Sequence, residues 1–312
     1  MPVAARVDRP LRRRLTACGA PVICTFVLAC SGCGASPGTP AQSAGSAAIS
    51  AGSAGADGQA SAGDPSSSGT ASAGASATQH TRPSPSPSRR GRRPLAGKVI
   101  GIDPGHNGGN FGDPSYINQL IWNGAEEETC DTTGTQTAAG YTEARFNFNV
   151  AKYLRADLIK EGAKVVMTRH TNKGVGPCVN RRARILDAAH VAVAIDIHAD
   201  GGPSWGRGFT VLEPVADGPN DRVIKSSVRF GADVRAALLK YTTMPKSNYY
   251  GNDGLISRDD LAGLNLTTVP KVLVECGNMP NATDARLLTE PAFQRSLAAA
   301  LTAAIVNFLA RR

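Results

Sequence analysis

The sequence predicts a single α/β domain: a twisted, mostly parallel sheet of about six strands, flanked by helices. Two apolar runs, VAVAIDIH at 191–198 and PKVLVEC at 270–276, have the length and β-branched content of strands buried on both faces. Such runs alternate along the chain with amphipathic segments of helical spacing, the pattern of a parallel sheet with helical crossovers. The stretch at 95–312 is long enough to enclose a core of this kind.

Residues 1–30 are interpreted as a signal peptide. Five arginines between Arg6 and Arg14 precede an apolar run, Ala17–Ala29, that is shorter than the roughly 18 residues a membrane span needs. The segment VLAC, which ends at Cys30, resembles a bacterial lipobox, although Leu28 is large for its place. Export is therefore expected, and three alternatives remain: lipid anchoring at Cys30, free secretion, and a signal that is not cleaved at this point.

Residues 31–94 form a predicted disordered tether, because they consist largely of Ser, Ala, Gly, Thr and Pro with almost nothing to bury. The first 94 residues hold ten arginines and three aspartates, so they carry +7 of the chain's net charge of +9. A nucleic-acid-binding domain needs a basic surface on its folded part, which here is nearly neutral. Nucleic acid is therefore not expected as a partner, whereas anionic lipid or a cell-wall polymer near the tether is.

The domain at 95–312 begins with the strand KVIGIDP, 98–104, which leads into a tight turn before His106. The long polar stretch at 111–140 is an insertion that we expect beside the active site. Thr142 is predicted to cap the next helix, which places Glu143 in the first turn, where the helix dipole favours a carboxylate. The remaining predicted elements are strand 163–170, helix 180–190, strand 191–198, strand 208–214, helix 221–240, strand 270–275 and a helix from Pro291 to about Leu309.

Three of the seven cysteines fall in the domain, and none has the CxxC spacing of a zinc knuckle or redox motif. Cys130 and Cys178 lie in two loop-like stretches, and in an exported domain they could form one disulfide; two free thiols are the alternative. Cys276 ends an apolar strand and is expected to be a small buried side chain rather than a nucleophile.

Three predicted strands end on side chains that can bind metal or transfer protons: His106, His198 and Glu275. Because the carboxyl ends of parallel strands share one edge of a sheet, Glu143 at a helix N-terminus can join them there. Two histidines and a carboxylate are a well-known catalytic zinc set, and a further carboxylate can act as general base.

Each of these residues also has a plainer interpretation. A histidine after a strand can be an ordinary loop residue, and Glu143 can be a favourable first-turn charge. Glu275, however, follows three apolar residues, and a buried carboxylate without a partner would cost several kcal/mol. Asp196 either orients the imidazole two residues away on the same strand face or pairs with Arg182 or Arg169. Two competing histidines are interpreted as surface or otherwise satisfied residues: His170 and His190.

Four motifs occur in the order and approximate spacing of a known family. They are DPGHNGG, TEARFNFNVAKYLRADLIKEGAKVVMTR, IDIHADG and PKVLVECGNMPN. From about Lys98 to the C-terminus the chain resembles the zinc-dependent N-acetylmuramoyl-L-alanine amidases of peptidoglycan, of the AmiC/CwlV type. The resemblance implies a twisted sheet flanked by helices, with zinc held by His106, Glu143 and His198. The family's catalytic glutamate, in its VExGxxxN motif, matches Glu275.

The chain departs from the family pattern at two places. The family usually has Ser where this chain has Asp196, so the groups that orient the ligands differ. The insertion around Cys130 is longer than the shortest family members need and resembles actinobacterial versions in which a disulfide pins such a hairpin. No repeat typical of a wall-binding module is found in the sequence.

Together these features predict an exported, monomeric zinc amidase that cleaves the amide between N-acetylmuramic acid and L-alanine in peptidoglycan or muropeptides. Zinc would polarise the carbonyl and activate water, with Glu275 as general base and then as acid for the leaving amine. A wall-binding module without turnover and a zinc peptidase of the stem peptide are the alternatives. Arg258, Asp260 and Asn265 could contact peptide or glycan, or could be plain loop residues.

Overall fold

A computed structural model describes residues 93–311, so the predicted signal peptide and nearly all of the predicted tether lie outside the described residues. The strands are β1 (Val99–Pro104), β2 (Leu120–Trp122), β3 (Glu127–Thr129), β4 (Lys164–Met167), β5 (Val193–Asp200), β6 (Thr210–Pro214), β7 (Leu255–Arg258) and β8 (Lys271–Asn278). Six of them form one sheet in the order β4-β1-β5-β8-β6-β7. All neighbours in it are parallel except β6 and β8. The predicted fold class is confirmed.

Helices cover both faces of this sheet. They are α1 (Pro114–Ile117), α2 (Glu143–Lys160), α3 (Val179–Ala188), α4 (Ile224–Tyr241), α5 (Ala262–Asn265), α6 (Ala282–Thr289) and α7 (Pro291–Ala310). The main core lies where α2, α4 and α7 pack together and against β1, β5, β6 and β8. Helices α3 and α5 contact each other and cover smaller apolar clusters.

Helix α7 is the only described helix with the length and composition of a membrane span, at a mean hydropathy of 1.3. However, 61% of its most apolar window is buried inside the domain, where Leu297, Leu301 and Ile305 join the core. Its apolar character is therefore explained by packing on α2 and α4.

Several predicted elements change at their ends. Strands β5 and β8 continue to Asp200 and Asn278, because they keep pairing beyond the point where the apolar runs stop. Helix α2 begins at Glu143 as expected, but the Thr142 hydroxyl makes no capping hydrogen bond. Strand β7, helix α5 and helix α6 were not predicted; β7 and α5 have four residues each, which carry too little periodicity to be recognised.

The insertion at 111–140 contains α1 and the hairpin formed by β2 and β3. A disulfide between Cys130 and Cys178 fastens the end of this hairpin to the start of α3, so the alternative of two free thiols is wrong. Cys276 is a free, buried thiol, as the sequence predicts.

Candidate active site

The turn after β1 brings His106 against the end of β5. Gly105 is required in this turn, because a Cβ there would lie 2.2 Å from the imidazole of His198. His106 itself has a φ of 55°, a left-handed conformation that is uncommon for a residue with a side chain. The tight turn therefore serves to place the two imidazoles side by side, with ring centroids 4.8 Å apart.

Three of the predicted site residues form one cluster. A ligand atom from each of His106, Glu143 and His198 lies within 4.8 Å of the other two. Oε1 of Glu143 is 3.3 Å from Nε2 of His106 and 2.9 Å from Nδ1 of His198. Each imidazole thus turns one nitrogen toward the same carboxylate oxygen.

The other nitrogen of each imidazole faces an aspartate. Nδ1 of His106 is 3.1 Å from Oδ1 of Asp131, and Nε2 of His198 is 3.3 Å from Oδ1 of Asp196. A carboxylate behind an imidazole sets its ring orientation and its tautomer, which leaves the opposite nitrogen to bind a ligand. Asp131 makes a hydrogen bond with His106, whereas Asp196 is an ion-pair partner of His198, and its Oδ1 makes no hydrogen bond among the described residues.

Glu143 is buried and firmly held. Its Oε2 accepts a hydrogen bond from the backbone N–H of Thr135 (2.9 Å), and its Oε1 accepts one from that of Ala199 (3.2 Å). Burial alone would raise the pKa of this carboxyl, but His106 and His198 outweigh burial and hold the pKa well below its usual range. The carboxylate is therefore ionised at neutral pH.

The two imidazoles have raised pKa values. Burial lowers the pKa of His106, but Glu143 and Asp131 outweigh burial and raise it to about 9. For His198, burial is outweighed by Asp196 and then Glu143, and the pKa lies well above its usual value. The cluster therefore attracts positive charge into the space between the rings.

Glu275 lies on β8 directly opposite His198 on β5. Its Oε2 atom is buried and has no hydrogen-bond partner within residues 93–311. Burial raises the pKa of this carboxyl to about 8, against the opposing effect of His198. Glu275 lines a cavity of about 460 Å³. The same cavity is lined by both imidazoles, Asp200, Tyr249, Tyr250 and Arg258.

The insertion does lie beside the cluster. Glu128, Thr129, Asp131 and Thr132 line a second cavity of about 160 Å³ together with His106 and His198. The hairpin is held there by Glu128, whose Oε1 accepts a hydrogen bond from the backbone N–H of Ala262 (2.9 Å).

The structure decides the alternatives for Asp196. It lies beside the imidazole of His198, and its ion-pair partner is Lys271 at 3.4 Å. A direct pair with Arg182 or Arg169 is wrong: Arg182 pairs with Asp103 and Asp131, and Arg169 donates to backbone carbonyls, including those of Pro104 and Ala144. Both competing histidines are exposed, as predicted: His170 and His190.

Sequence reasoning missed Asp131 and Lys271. Asp131 follows a cysteine in a polar loop, where nothing distinguishes it from a surface residue. Lys271 did carry a signal, because a lysine at the start of the buried run KVLVEC has to find a buried carboxylate. Three residues were considered as contacts for peptide or glycan. Arg258 pairs with Asp260 and donates to the hydroxyl of Tyr250, and Asn265 is buried in α5.

Fold and site together define a domain of the α/β class with a candidate metal centre at the carboxyl edge of its sheet. Residues 100–307 match the family model Amidase_3, N-acetylmuramoyl-L-alanine amidase, and the chain belongs to this family. A similar relative is the N-acetylmuramoyl-L-alanine amidase Rv3717 of Mycobacterium tuberculosis. The two chains are 39% identical over 222 residues, which cover 69% of this chain and 88% of the relative.

Two solved structures have a similar fold. The apo form of the N-acetylmuramyl-L-alanine amidase Ami1 from Mycobacterium abscessus is 38% identical, with a TM-score of 0.65 over 69% of this chain and 100% of that one. Ami1 from Mycobacterium smegmatis is 36% identical, with a TM-score of 0.66 over 70% and 99%. These similarities confirm the predicted resemblance to actinobacterial amidases of this family.

Proposed function

We propose that this chain is a zinc-dependent amidase that hydrolyses the bond between N-acetylmuramic acid and L-alanine in peptidoglycan. The observation that carries the proposal is the convergence of two imidazoles on one oxygen of Glu143, with an aspartate within 3.3 Å of the other nitrogen of each ring. Membership of the family and the similarity to proteins named as N-acetylmuramoyl-L-alanine amidases support the substrate and the bond.

The donor set fits zinc. Two neutral imidazole nitrogens and one carboxylate oxygen are a common catalytic set for this ion, and His106, Glu143 and His198 would hold it. The raised pKa values of both imidazoles indicate a site whose carboxylates favour added positive charge. Bound there, zinc would polarise the scissile carbonyl and lower the pKa of a water molecule.

Glu275 is assigned the proton transfers. Its carboxylate would accept a proton from the attacking water and then donate it to the leaving amine of L-alanine, so that the amide becomes a carboxylic acid and an amine. In the metal-free protein burial raises the pKa of Glu275 to about 8, and a divalent cation bound beside it would favour the carboxylate form that has to accept the proton. The cavity of about 460 Å³ in front of Glu275 would receive the substrate.

The decisive experiment is mass spectrometry of the products released from purified peptidoglycan and from muropeptides, with zinc content measured on the same preparation. Free stem peptides beginning with L-alanine support the proposal. Cleavage inside the stem peptide would identify a peptidase instead. Binding to insoluble peptidoglycan without soluble product would identify a wall-binding module.

The setting follows from the same proposal. The enzyme would act as a monomer in the cell envelope or outside the cell. It would be either lipid-anchored at Cys30, with 31–94 as its tether, or freely secreted. Labelling with a fatty-acid analogue, compared between the full chain and its Cys30→Ser variant, distinguishes the two routes.

A further inference from the structure

The aspartates behind the two imidazoles belong to one chain of ion pairs. Oδ2 of Asp131 accepts a hydrogen bond from Nη2 of Arg182 (3.0 Å), and Nη1 of Arg182 reaches Oδ1 of Asp103 (3.1 Å). Nζ of Lys271 then donates to Oδ2 of Asp103 (2.8 Å) and lies 3.4 Å from Oδ2 of Asp196. We call these five residues the buried charge chain. It links the aspartate beside Nδ1 of His106 to the aspartate beside Nε2 of His198.

Lys271 is needed in this chain for an electrostatic reason. Asp103 on β1 and Asp196 on β5 are register partners on adjacent parallel strands, so their carboxylates share one face of the sheet. Two negative charges on directly paired residues repel each other. The ammonium group of Lys271 lies between them, and its pKa is raised because both carboxylates outweigh the effect of burial. Without this cation, one carboxylate has to turn away or bind a proton.

Placing the buried charge chain inside the domain costs free energy, because charged groups lose their hydration there. Lys271 and Asp103 are each 1% exposed and Arg182 is 2% exposed. Buried ion pairs contribute little net stability, and apolar residues of similar volume often replace them without loss. Stability alone therefore gives little reason for the five charged residues as a set, whereas a role in orienting the aspartates beside the two imidazoles does.

We propose that Lys271 is a positioning residue of the candidate metal centre: it holds Asp196 against Nε2 of His198 and thereby fixes Nδ1 as the nitrogen offered to the metal ion. This inference rests on the proposed zinc site. Arg182 has the corresponding place on the other side, where it holds Asp131 against Nδ1 of His106. Among the described residues Nζ of Lys271 pairs with Asp103 and Asp196 and with neither imidazole, so its effect on the metal has to pass through Asp196.

The test is the zinc affinity of the Lys271→Met variant, measured by competition with a chromophoric chelator. Loss of a partner behind a metal-binding imidazole typically weakens the metal by about 10–100-fold, and we expect a loss in this range with one zinc still bound at saturation. The visible spectrum of the cobalt-substituted protein should also change, because the imidazole of His198 is no longer held in one orientation. The control is Arg207→Met, which breaks an ion pair to the buried Asp284 and should leave zinc affinity unchanged.

A double-mutant cycle separates positioning from general destabilisation. Asp196→Ala should weaken zinc binding by itself, and adding Lys271→Met should weaken it no further, because both substitutions remove the same support. If Lys271→Met folds and binds zinc as tightly as the unaltered protein, or if the two losses add, the inference is wrong. If Lys271→Met does not fold, Lys271→Gln, which keeps one donor, takes its place under the same criteria. Absence of zinc binding by the unaltered protein would instead contradict the proposed function.

Discussion

His198 and Glu275 face each other across the β5–β8 ladder, as register partners at the carboxyl edge of the sheet. This pairing puts a carboxyl group whose Oε2 has no hydrogen-bond partner among the described residues beside an imidazole of the candidate metal centre. Parallel pairing brings together residues 77 positions apart in the sequence, and a one-residue slip would turn Glu275 to the opposite face. The register of two central strands therefore determines the candidate general base.

The first prediction concerns Glu275 itself. Replacing it with Gln keeps the shape but removes the proton acceptor, so release of stem peptides should fall by about 10²–10⁴-fold while zinc content is unchanged. The control is Glu213→Gln on β6, a buried carboxyl whose pKa burial raises to about 7 and which lines neither cavity at the cluster. Release by Glu275→Gln at the rate of this control would show that another group transfers the proton.

The second prediction concerns zinc stoichiometry. His106→Ala removes one of three proposed ligands, so metal content after dialysis should fall from one zinc per chain to near zero, while the far-ultraviolet circular dichroism spectrum is retained. His170→Ala removes an exposed histidine and should keep its zinc. Full zinc content in His106→Ala would exclude this histidine as a ligand.

The third prediction concerns pH. In the metal-free protein the pKa of His106 is about 9 and that of His198 is raised, so both imidazoles carry protons at pH 7. Zinc has to displace these protons, and its binding should release about two protons and become tighter as the pH rises toward 9. Calorimetry in buffers of different ionisation enthalpy measures the number released. A zinc affinity that does not change between pH 6.5 and 9 would contradict the raised pKa values of the two imidazoles.

The same pKa values predict how the stability of the metal-free protein depends on pH. His106 and Glu275 hold protons in the folded state at pH values where the unfolded chain has lost them, so both stabilise the fold more at low pH. This contribution of Glu275 is lost as the pH rises through about 8, and that of His106 through about 9. The melting temperature should therefore fall from pH 6.5 to 9, and a constant or rising value would be inconsistent with this assignment.

The fourth prediction concerns the turn between β1 and His106. A Cβ on residue 105 would lie 2.2 Å from the His198 ring, so Gly105→Ala should displace that imidazole and weaken zinc binding by at least about 10-fold. Gly112→Ala is the matched control, because a Cβ there has no atom within 4 Å. Equal zinc affinities in the two variants would show that the turn can adjust without moving His198.

The fifth prediction concerns the disulfide between Cys130 and Cys178, which are 48 residues apart. Closing a loop of this length restricts the unfolded chain by about 4 kcal/mol, so replacing both cysteines with Ser should lower the free energy of unfolding by about 2–5 kcal/mol. Urea denaturation of the two proteins without reductant measures the difference. Zinc affinity should fall as well, because Asp131 adjoins Cys130 and supports His106.

The local pattern of the sequence was enough to predict the fold class and to name the candidate site residues. Apolar runs with β-branched residues identified the central strands, and the turn chemistry before His106 marked the end of the first one. These signals lie within a few residues of each other, so a single sequence contains them. The ends of β5 and β8 and the strand β7 were missed, because pairing with a neighbouring strand determines them, and α5 was missed because four residues carry too little periodicity.

By itself, therefore, the sequence determined the central strands and main helices, and it placed His106, Glu143, His198 and Glu275 near the edge where these elements meet. Only the tertiary structure decided how these residues are held. Lys271 pairs with Asp103, which lies 168 residues away in the sequence. The physical reason is that the orientation of an imidazole depends on charged groups brought within about 3 Å by strand register and packing, and local patterns carry no record of such long-range contacts.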